Sequence, residues 1–273
     1  MILITGGSGF LGKALIKRLK EITNEPIRIV SRNEGNLIDV KQVHRDVEIV
    51  TGDITDPFIC QKVLKGVDKV YHLAAFKHVG LAESQPIQCT NTNIIGTLNL
   101  LKYFRGDEFI AISTDKAAQV AGVYGASKLI MERVIKEYEE IFPSIKYRVV
   151  RYGNVLYSTG SVLVKWRDIL KNGGEIIVTD PKATRYFWTI DEAIDLIFDC
   201  EKNAKDSTPY CPQMKSISVE DLLEAMQQKY GRAKSIKIIG LQDGENLHER
   251  VTEDGLTSEE AEKYSIEEIK EMI

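Results

Sequence analysis

The chain has 273 residues, 43% hydrophobic and 28% charged, with a formal net charge of −4; this is ordinary globular composition, and enough chain for the core of one large domain. The slight acidity gives no general attraction to nucleic acid or to an anionic membrane, so any phosphate must be bound locally. Cys60, Cys89, Cys200 and Cys211 show no C-x-x-C spacing and His44, His72, His78 and His248 no ligand spacing, which argues against a disulfide framework and a metal site. No run reaches the ~18 apolar residues of a membrane span, and the N-terminus opens on a strand without a basic, cleavable leader. A cytoplasmic protein with no membrane span is expected.

Ile2–Thr5 reads as a strand, followed by Gly6-Gly-Ser-Gly-Phe-Leu-Gly12 and an amphipathic helix outlined by Leu11, Ala14, Leu15, Arg18 and Leu19. The glycines fit G-x-G-x-x-G at 7, 9 and 12 and G-x-x-G-x-x-G at 6, 9 and 12. Either spacing serves a tight turn, close approach of backbone to a pyrophosphate, and a helix N-terminus offering free N–H groups. Gly6, Gly7, Ser8, Gly9, Phe10 and Leu11 are therefore expected to touch a dinucleotide. Strand two, Ile27–Val30, ends in Ser31-Arg32-Asn33, with no carboxylate at its tip and Glu34 the nearest. A carboxylate there would hold a ribose 2′-hydroxyl, whereas an arginine accommodates a 2′-phosphate; Arg32, helped by Ser31, favours NADP over NAD.

Val47–Val50 is strand three, and Asp53-Ile54 beyond it suits an adenine. Phe58–Leu64 reads as a helix and Lys69–Leu73 as strand four, opening into Ala74-Ala75-Phe76-Lys77-His78. The small residues permit close ligand approach, which adds Ala74, Ala75 and Lys77 to the cofactor set. Lys77 and His78 also lie where a substrate phosphate or sugar would sit. Ile87–Phe104 is expected to be one long helix carrying Asn91, Thr92 and Asn93, with a buried Asn holding the next strand's backbone.

Phe109–Ile112 is a short buried strand, and Ser113–Lys128 follows it. Thr114, Asp115 and Lys116 sit at the strand end; Tyr124 and Lys128 sit on a new helix, four apart, so phenol and ammonium share one face. Tyr147–Val150 completes an alternation of strands and helices. The expected fold class is α/β, a doubly wound, Rossmann-like parallel sheet with a smaller, interleaved C-terminal substrate region; ligands bind such sheets at the carboxyl ends of the strands.

The glycine turn, Asp53, His-Leu-Ala-Ala at 72–75 and Tyr124-x-x-x-Lys128 together resemble the extended short-chain dehydrogenase/reductase superfamily. Ser-Thr-Asp-Lys-Ala-Ala at 113–118, Arg-Tyr-Gly-Asn-Val at 151–155 and Thr-Arg-Tyr-Phe-Trp-Thr at 184–189 narrow the resemblance. With Ala-Ala-Phe-Lys-His-Val at 74–79 and Gly-Glu-Asn-Leu-His-Glu at 244–249, they are similar to the UDP-N-acetylglucosamine 4,6-dehydratases of the polysaccharide-biosynthesis group. The resemblance runs from Met1 to about Arg250 and departs after Glu249, where a short charged tail follows.

The resemblance implies residues 1–152 as an NADP-binding domain and 153–273 as a nucleotide-sugar region, with helices over 191–203 and 219–229 packing back on the sheet. A UDP-sugar is the implied substrate and a homo-oligomer the implied state. Ser158-Thr-Gly-Ser161 opens a helix over 162–170, a ready anion site. Ser161 suits both an N-cap and a ligand contact. Asn154, Ser161 and Val162 are in position to contact the nucleotide sugar, and Arg185 to bind its diphosphate. Glu245 and His248 belong to the late loop and receive no role. The tail, Ser258–Ile273, reads as a solvated helical cap.

The implied reaction is an internal redox dehydration, with hydride leaving C4 and returning at C6. Tyr124 takes the 4-hydroxyl proton, with Lys128 lowering the phenol's pKa; Thr114 hydrogen-bonds the developing oxygen. Deprotonated Lys116 removes the C5 proton, and protonated Asp115 gives its proton to the departing 6-hydroxyl. The tyrosine at 124 leans towards inversion at C5. The alternatives are a C5-retaining dehydratase, an epimerase, which has no use for the Asp-Lys pair, and a non-catalytic NADP-binding sensor, which typically loses the tyrosine or lysine.

Overall fold

A computed structural model describes residues 1–273. In chain order the first half runs β1 (Ile2–Thr5), α1 (Phe10–Ile22), β2 (Ile27–Ser31), α2 (Glu34–Val43), β3 (Glu48–Thr51), α3 (Pro57–Val63), β4 (Lys69–His72), α4 (Val79–Ser84), α5 (Pro86–Thr90), α6 (Gly96–Tyr103), β5 (Glu108–Thr114), α7 (Val123–Ile141) and β6 (Lys146–Tyr152). Its strands form one parallel sheet in the order β3-β2-β1-β4-β5-β6. The order reverses between β1 and β4, and the crevice beyond their carboxyl ends is the switch point where such sheets bind ligands.

Side chains alternate across the sheet. Ile2 and Ile4 of β1 join one core with α1, α2 and a later helix, while Leu3 joins a second core with α3, α6 and α7. Covered on both faces, β1 and β5 are buried along their whole lengths. β5 runs further in both directions than its apolar stretch suggests. Glu108 at its start is buried because Arg148 Nε lies 2.6 Å and Lys69 Nζ 3.2 Å away, and Thr114 is its last residue.

The second half comprises β7 (Asn154–Val155), α8 (Val162–Lys171), β8 (Glu175–Val178), β9 (Thr184–Trp188), α9 (Ile190–Asn203), β10 (Ser216–Ser218), α10 (Val219–Tyr230), β11 (Ser235–Ile238) and α11 (Ile266–Met272). Helix α9 inserts Ile194, Leu196, Ile197 and Cys200 into the first sheet core. Helix α10, expected on the sheet, instead puts Leu222, Leu223, Ala225 and Met226 into a third core with Trp166, Leu170 and Ile176.

Two further expectations change. The long helix over 87–104 is interrupted by a π turn at Asn91–Ile95 between α5 and α6. The tail is not one solvated helix: α11 begins only at Ile266, where Ser265 and Glu268 form a capping box. It anchors Ile269 and Ile273 in the third core. Two apolar residues four apart amid charged neighbours carry this contact, which is why composition alone reads as solvated.

Candidate active site

The glycine turn is pressed against its neighbours. Gly6 has φ +68°, and a Cβ there would lie 2.9 Å from Ala74 N. A Cβ on Gly7 would meet Ile29 Cγ2 at 2.6 Å, and one on Gly12 the Gly7 Cα at 2.6 Å. Gly9 is the N-cap of α1 and carries no side-chain cap, so the first amides of the helix are left for a ligand. Gly6, Ser8, Gly9, Phe10 and Leu11 line a cavity of about 720 Å³. Gly7 does not: it faces β2 and serves the packing that shapes the turn.

The same cavity reaches Ser31 and Arg32 at the tip of β2, and Asp53 and Ile54 beyond β3. Arg32 Nη1 stands 3.7 Å from Asp53 Oδ2, and both side chains are open to solvent. Ala74 and Ala75 line it beyond β4, and their loop is held from behind. Thr97 Oγ1 donates to Asn93 O at 2.8 Å and so accepts from His72 Nε2 at 2.9 Å. His72 Nδ1 then accepts from Thr5 Oγ1 at 2.7 Å, and Thr5 Oγ1 accepts from Ala74 N–H at 3.1 Å. This fixes His72 as a neutral, Nε2-protonated ring, and burial pushes its pKa down to about 3. The turn at Asn91–Ile95 places the Asn93 side chain on the loop after β4, where it accepts from Phe76 N–H at 2.7 Å and donates to Phe76 O at 2.9 Å and to Ser127 Oγ at 2.9 Å. Asn93 thus ties the preceding strand's tip to the α7 helix, not the next strand as expected.

Charged groups meet at the end of β5. Asp115 Oδ1 accepts from Thr114 Oγ1 at 2.8 Å, Lys116 N–H at 2.9 Å and Lys116 Nζ at 3.1 Å. Its Oδ2 is buried without a partner. Asp115 itself is fully buried beneath the cavity, whereas Thr114, Lys116, Tyr124 and Lys128 line it. Lys116 Nζ is also 3.3 Å from Glu249 Oε1. Burial works to lower the Lys116 pKa, but the Asp115 and Glu249 carboxylates outweigh it and raise it above the ordinary value. The free structure therefore holds Lys116 protonated, contrary to the deprotonated base expected. Close packing explains the fixed geometry: a Cβ on Gly125 of α7 would strike Lys116 O at 2.3 Å.

Burial raises the Tyr124 phenol to about 12, with the Lys116 ammonium and the Thr114 hydroxyl opposing the rise. Lys128 was expected to be the cation beside this phenol. It instead donates to Ile112 O on β5 at 2.6 Å, and burial lowers its pKa to about 8 despite nearby Glu132. Sharing a helix face brought both side chains to one cavity but did not pair them, because a buried ammonium takes the nearest strong acceptor.

At the other end, Lys77 and His78 meet the turn before α8. Lys77 Nζ donates to Thr159 O at 3.1 Å, and a Cβ on Gly160 would lie 2.5 Å from His78 Cε1. Burial lowers the pKa of both, and Lys77 and Lys165 depress His78 further. Ser161 occupies the N-cap position of α8 but makes no cap hydrogen bond; its Oγ is buried without a partner. Ser161, Val162, Asn154 and Arg185 all line the cavity. Asn154 Nδ2 donates to Tyr186 O at 3.3 Å. Arg185 Nη1 donates to Thr184 O at 2.9 Å and Leu247 O at 3.0 Å, and its Nε lies 3.8 Å from Glu249 Oε1.

Glu249 was missed as a site residue. The signal was its place at the end of Gly-Glu-Asn-Leu-His-Glu, a stretch read only for resemblance. Glu245 also lines the cavity, whereas His248 pairs with Thr184 Oγ1 at 2.8 Å and lies 3.4 Å from Glu259. Thr92 and Tyr152 are further lining residues not anticipated. No group of three or more His, Cys, Asp or Glu side chains is arranged to hold a metal ion, and no helix is long and apolar enough to cross a membrane.

The family model described as polysaccharide biosynthesis protein matches residues 2–271. An uncharacterised membrane protein of Methanocaldococcus jannaschii is 36% identical over 99% of this chain and 84% of its own length. The inverting UDP-N-acetylglucosamine 4,6-dehydratase of Campylobacter jejuni is 33% identical, and a UDP-glucose 4-epimerase of Rickettsia typhi 30%, each over 91% of this chain and 76% of the relative. Among solved structures, Pen from Bacillus thuringiensis superposes with a TM-score of 0.88 at 30% identity, covering 92% of this chain and 80% of the other. With the switch-point cavity and Tyr124-x-x-x-Lys128 at its floor, these matches show that the chain belongs to the polysaccharide biosynthesis protein family, within the extended short-chain dehydrogenase/reductase superfamily.

Proposed function

We propose that the protein is a nucleotide-sugar 4,6-dehydratase acting on UDP-N-acetylglucosamine, with inversion at C5, in the making of surface glycans. The observation that carries this reading is the buried Asp115–Lys116 pair beside Tyr124. Oxidation and reduction at C4 alone need a phenol and a hydride carrier, and a fixed acid–base pair is the additional equipment of an elimination.

The uncapped α1 N-terminus and the glycine turn suit a pyrophosphate, Asp53 and Ile54 an adenine, and Ser31 with Arg32 a 2′-phosphate, so NADP is the preferred cofactor over NAD. Ala74, Ala75, Lys77, Tyr124 and Lys128 complete that side. The bound dinucleotide supplies the acceptor of hydride at C4 and its donor at C6. Tyr124 removes the 4-hydroxyl proton, helped by Lys116 and Thr114, which oppose the rise of its pKa. The resulting 4-ketone acidifies the C5 hydrogen. Transfer of one proton from Lys116 Nζ to Asp115, 3.1 Å away, converts the ion pair into a neutral amine and a neutral acid. The amine then takes the C5 proton, and the acid protonates the departing 6-hydroxyl, so that water leaves and the proton count balances. Lys77 and Arg185 offer cations, Ser161 a free hydroxyl and neutral His78 a ring N–H to the diphosphate, and Asn154 and Val162 border the sugar.

UDP-N-acetylglucosamine supplied in deuterated water without added cofactor should yield a 4-keto product with a 6-methyl group and deuterium at C5, read by NMR. Unchanged substrate would reject the reading. The Rickettsia relative supports epimerisation as the second reading, and its signature would be the C4 epimer with no deuterium at C5.

A further inference from the structure

Glu249 is a buried carboxylate in the cavity wall for which the elimination just described has no use. Its side chain and that of Asp115 are 1% and 0% exposed, and they flank one ammonium, Lys116 Nζ, at 3.3 and 3.1 Å. Four groups face Lys116: Asp115 from its own turn, Glu249 from the loop before Arg250, Arg185 from β9 and Tyr124 from α7. Arg185 Nε also faces Glu249, at 3.8 Å, so two carboxylates and two cations close a buried, balanced corner. Asn246 Nδ2 reaches the other Glu249 oxygen at 3.4 Å.

The late loop does not need this side-chain charge to dock. Glu249 N–H donates to Ser258 Oγ at 2.9 Å, Ser258 N–H donates to Glu249 O at 2.8 Å, and Arg185 Nη1 holds Leu247 O. An ionised group is costly to bury, and here its backbone already secures the loop. What the carboxylate adds is a second negative charge on Lys116.

We propose that Glu249 is a positioning residue acting through Lys116: it holds the ammonium between two carboxylates and sets the pH range in which the Asp115–Lys116 pair carries the one proton its chemistry needs. This rests on the assignment of that pair to the elimination. Removing a negative charge lowers the proton affinity of every group beside it. Loss of Glu249's charge therefore moves both proton equilibria of the pair to lower pH. Loss of a merely structural side chain would reduce turnover without moving them.

The test compares the wild-type chain with Glu249→Gln, of the same shape without the charge, and Glu249→Asp, which keeps the charge on a shorter arm. Two quantities are read. The first is the pH profile of kcat for UDP-N-acetylglucosamine dehydration. The second is the pH at which the Lys116 amine becomes reactive to acetic anhydride, followed by mass spectrometry on folded protein without substrate. In Glu249→Gln both limbs of the profile and the acetylation curve should shift down by about one pH unit. Glu249→Asp should shift in the same direction by less, and should serve alone if the glutamine variant does not fold. A profile and acetylation curve that stay in place in a folded variant would overturn the proposal. If the wild-type protein forms no dehydrated product, the elimination fails, while the acetylation curves still decide whether Glu249 controls Lys116.

Discussion

The two ends of the cavity are built from different materials. At the glycine-turn end the walls are backbone: a glycine turn in van der Waals contact with β2 and the β4 tip, an uncapped helix start, and a neutral chain from Thr5 through His72 and Thr97 to Asn93. At the end of β5 the walls are ions: Lys116 lies between buried Asp115 and buried Glu249, and Arg185 faces Glu249 in turn. Backbone walls fix shape and tolerate no added atom. Ionic walls fix proton positions and tolerate no lost charge. The dinucleotide proposed for this chain is assigned to the first, and the proposed elimination to the second.

This difference should be visible in how each end breaks. Replacing Lys116 with alanine should cut turnover by about 10²–10⁴-fold while leaving dinucleotide affinity, read by fluorescence titration, nearly unchanged. Equal losses in both would deny the division. Gly12→Ala should do the reverse. Its Cβ would stand 2.6 Å from Gly7 Cα and from Gly7 O, and such overpacking should cost about 3 kcal/mol of stability, seen as a lowered Tm together with loss of dinucleotide binding.

The neutral network should show itself in acid. The folded-state pKa of His72 lies at about 3, below the unfolded value near 6.5. Its contribution to stability is thus complete above about pH 6.5 and is lost as the pH falls towards 3, at up to roughly 1.4 kcal/mol per unit. His72→Gln should flatten that slope in denaturant titrations between those limits. The smallest effect should come from the rim. Arg32 is exposed and only 3.7 Å from Asp53, so Arg32→Ala should weaken NADP by about tenfold, some 1.4 kcal/mol, with little change for NAD. Equal loss for both dinucleotides would remove the argument for the 2′-phosphate.

The same division explains what could be read in the sequence. Strand, glycine turn and helix are contiguous, so Gly6 to Gly12 carried their own geometry, as did the alternation that gives the parallel sheet. Lys116 was legible as a residue but not in its charge state, because Glu249 reaches it from a loop near the other end of the chain. Lys128 was legible by its spacing from Tyr124, yet its partner proved to be the Ile112 carbonyl on β5. The tail misled for a related reason: Ile269 and Ile273 had no visible counterpart until α10 and α11 came together around the third core. Local constraints are written locally, whereas the pairing of buried charges and the docking of a short helix depend on tertiary neighbours.

The proposed addition of elimination to a redox site by the ionic corner can be read from two signals in one sample. Wild-type and Lys116→Ala proteins loaded with NADP are given UDP-N-acetylglucosamine in deuterated water, and reduced nicotinamide absorbance and C5 deuterium are followed together. The variant should still build up reduced nicotinamide, which the wild type re-oxidises by returning hydride at C6, while C5 deuterium and the 6-methyl product disappear. Deuterium entering C5 at the wild-type rate in the Lys116→Ala protein would contradict that proposal.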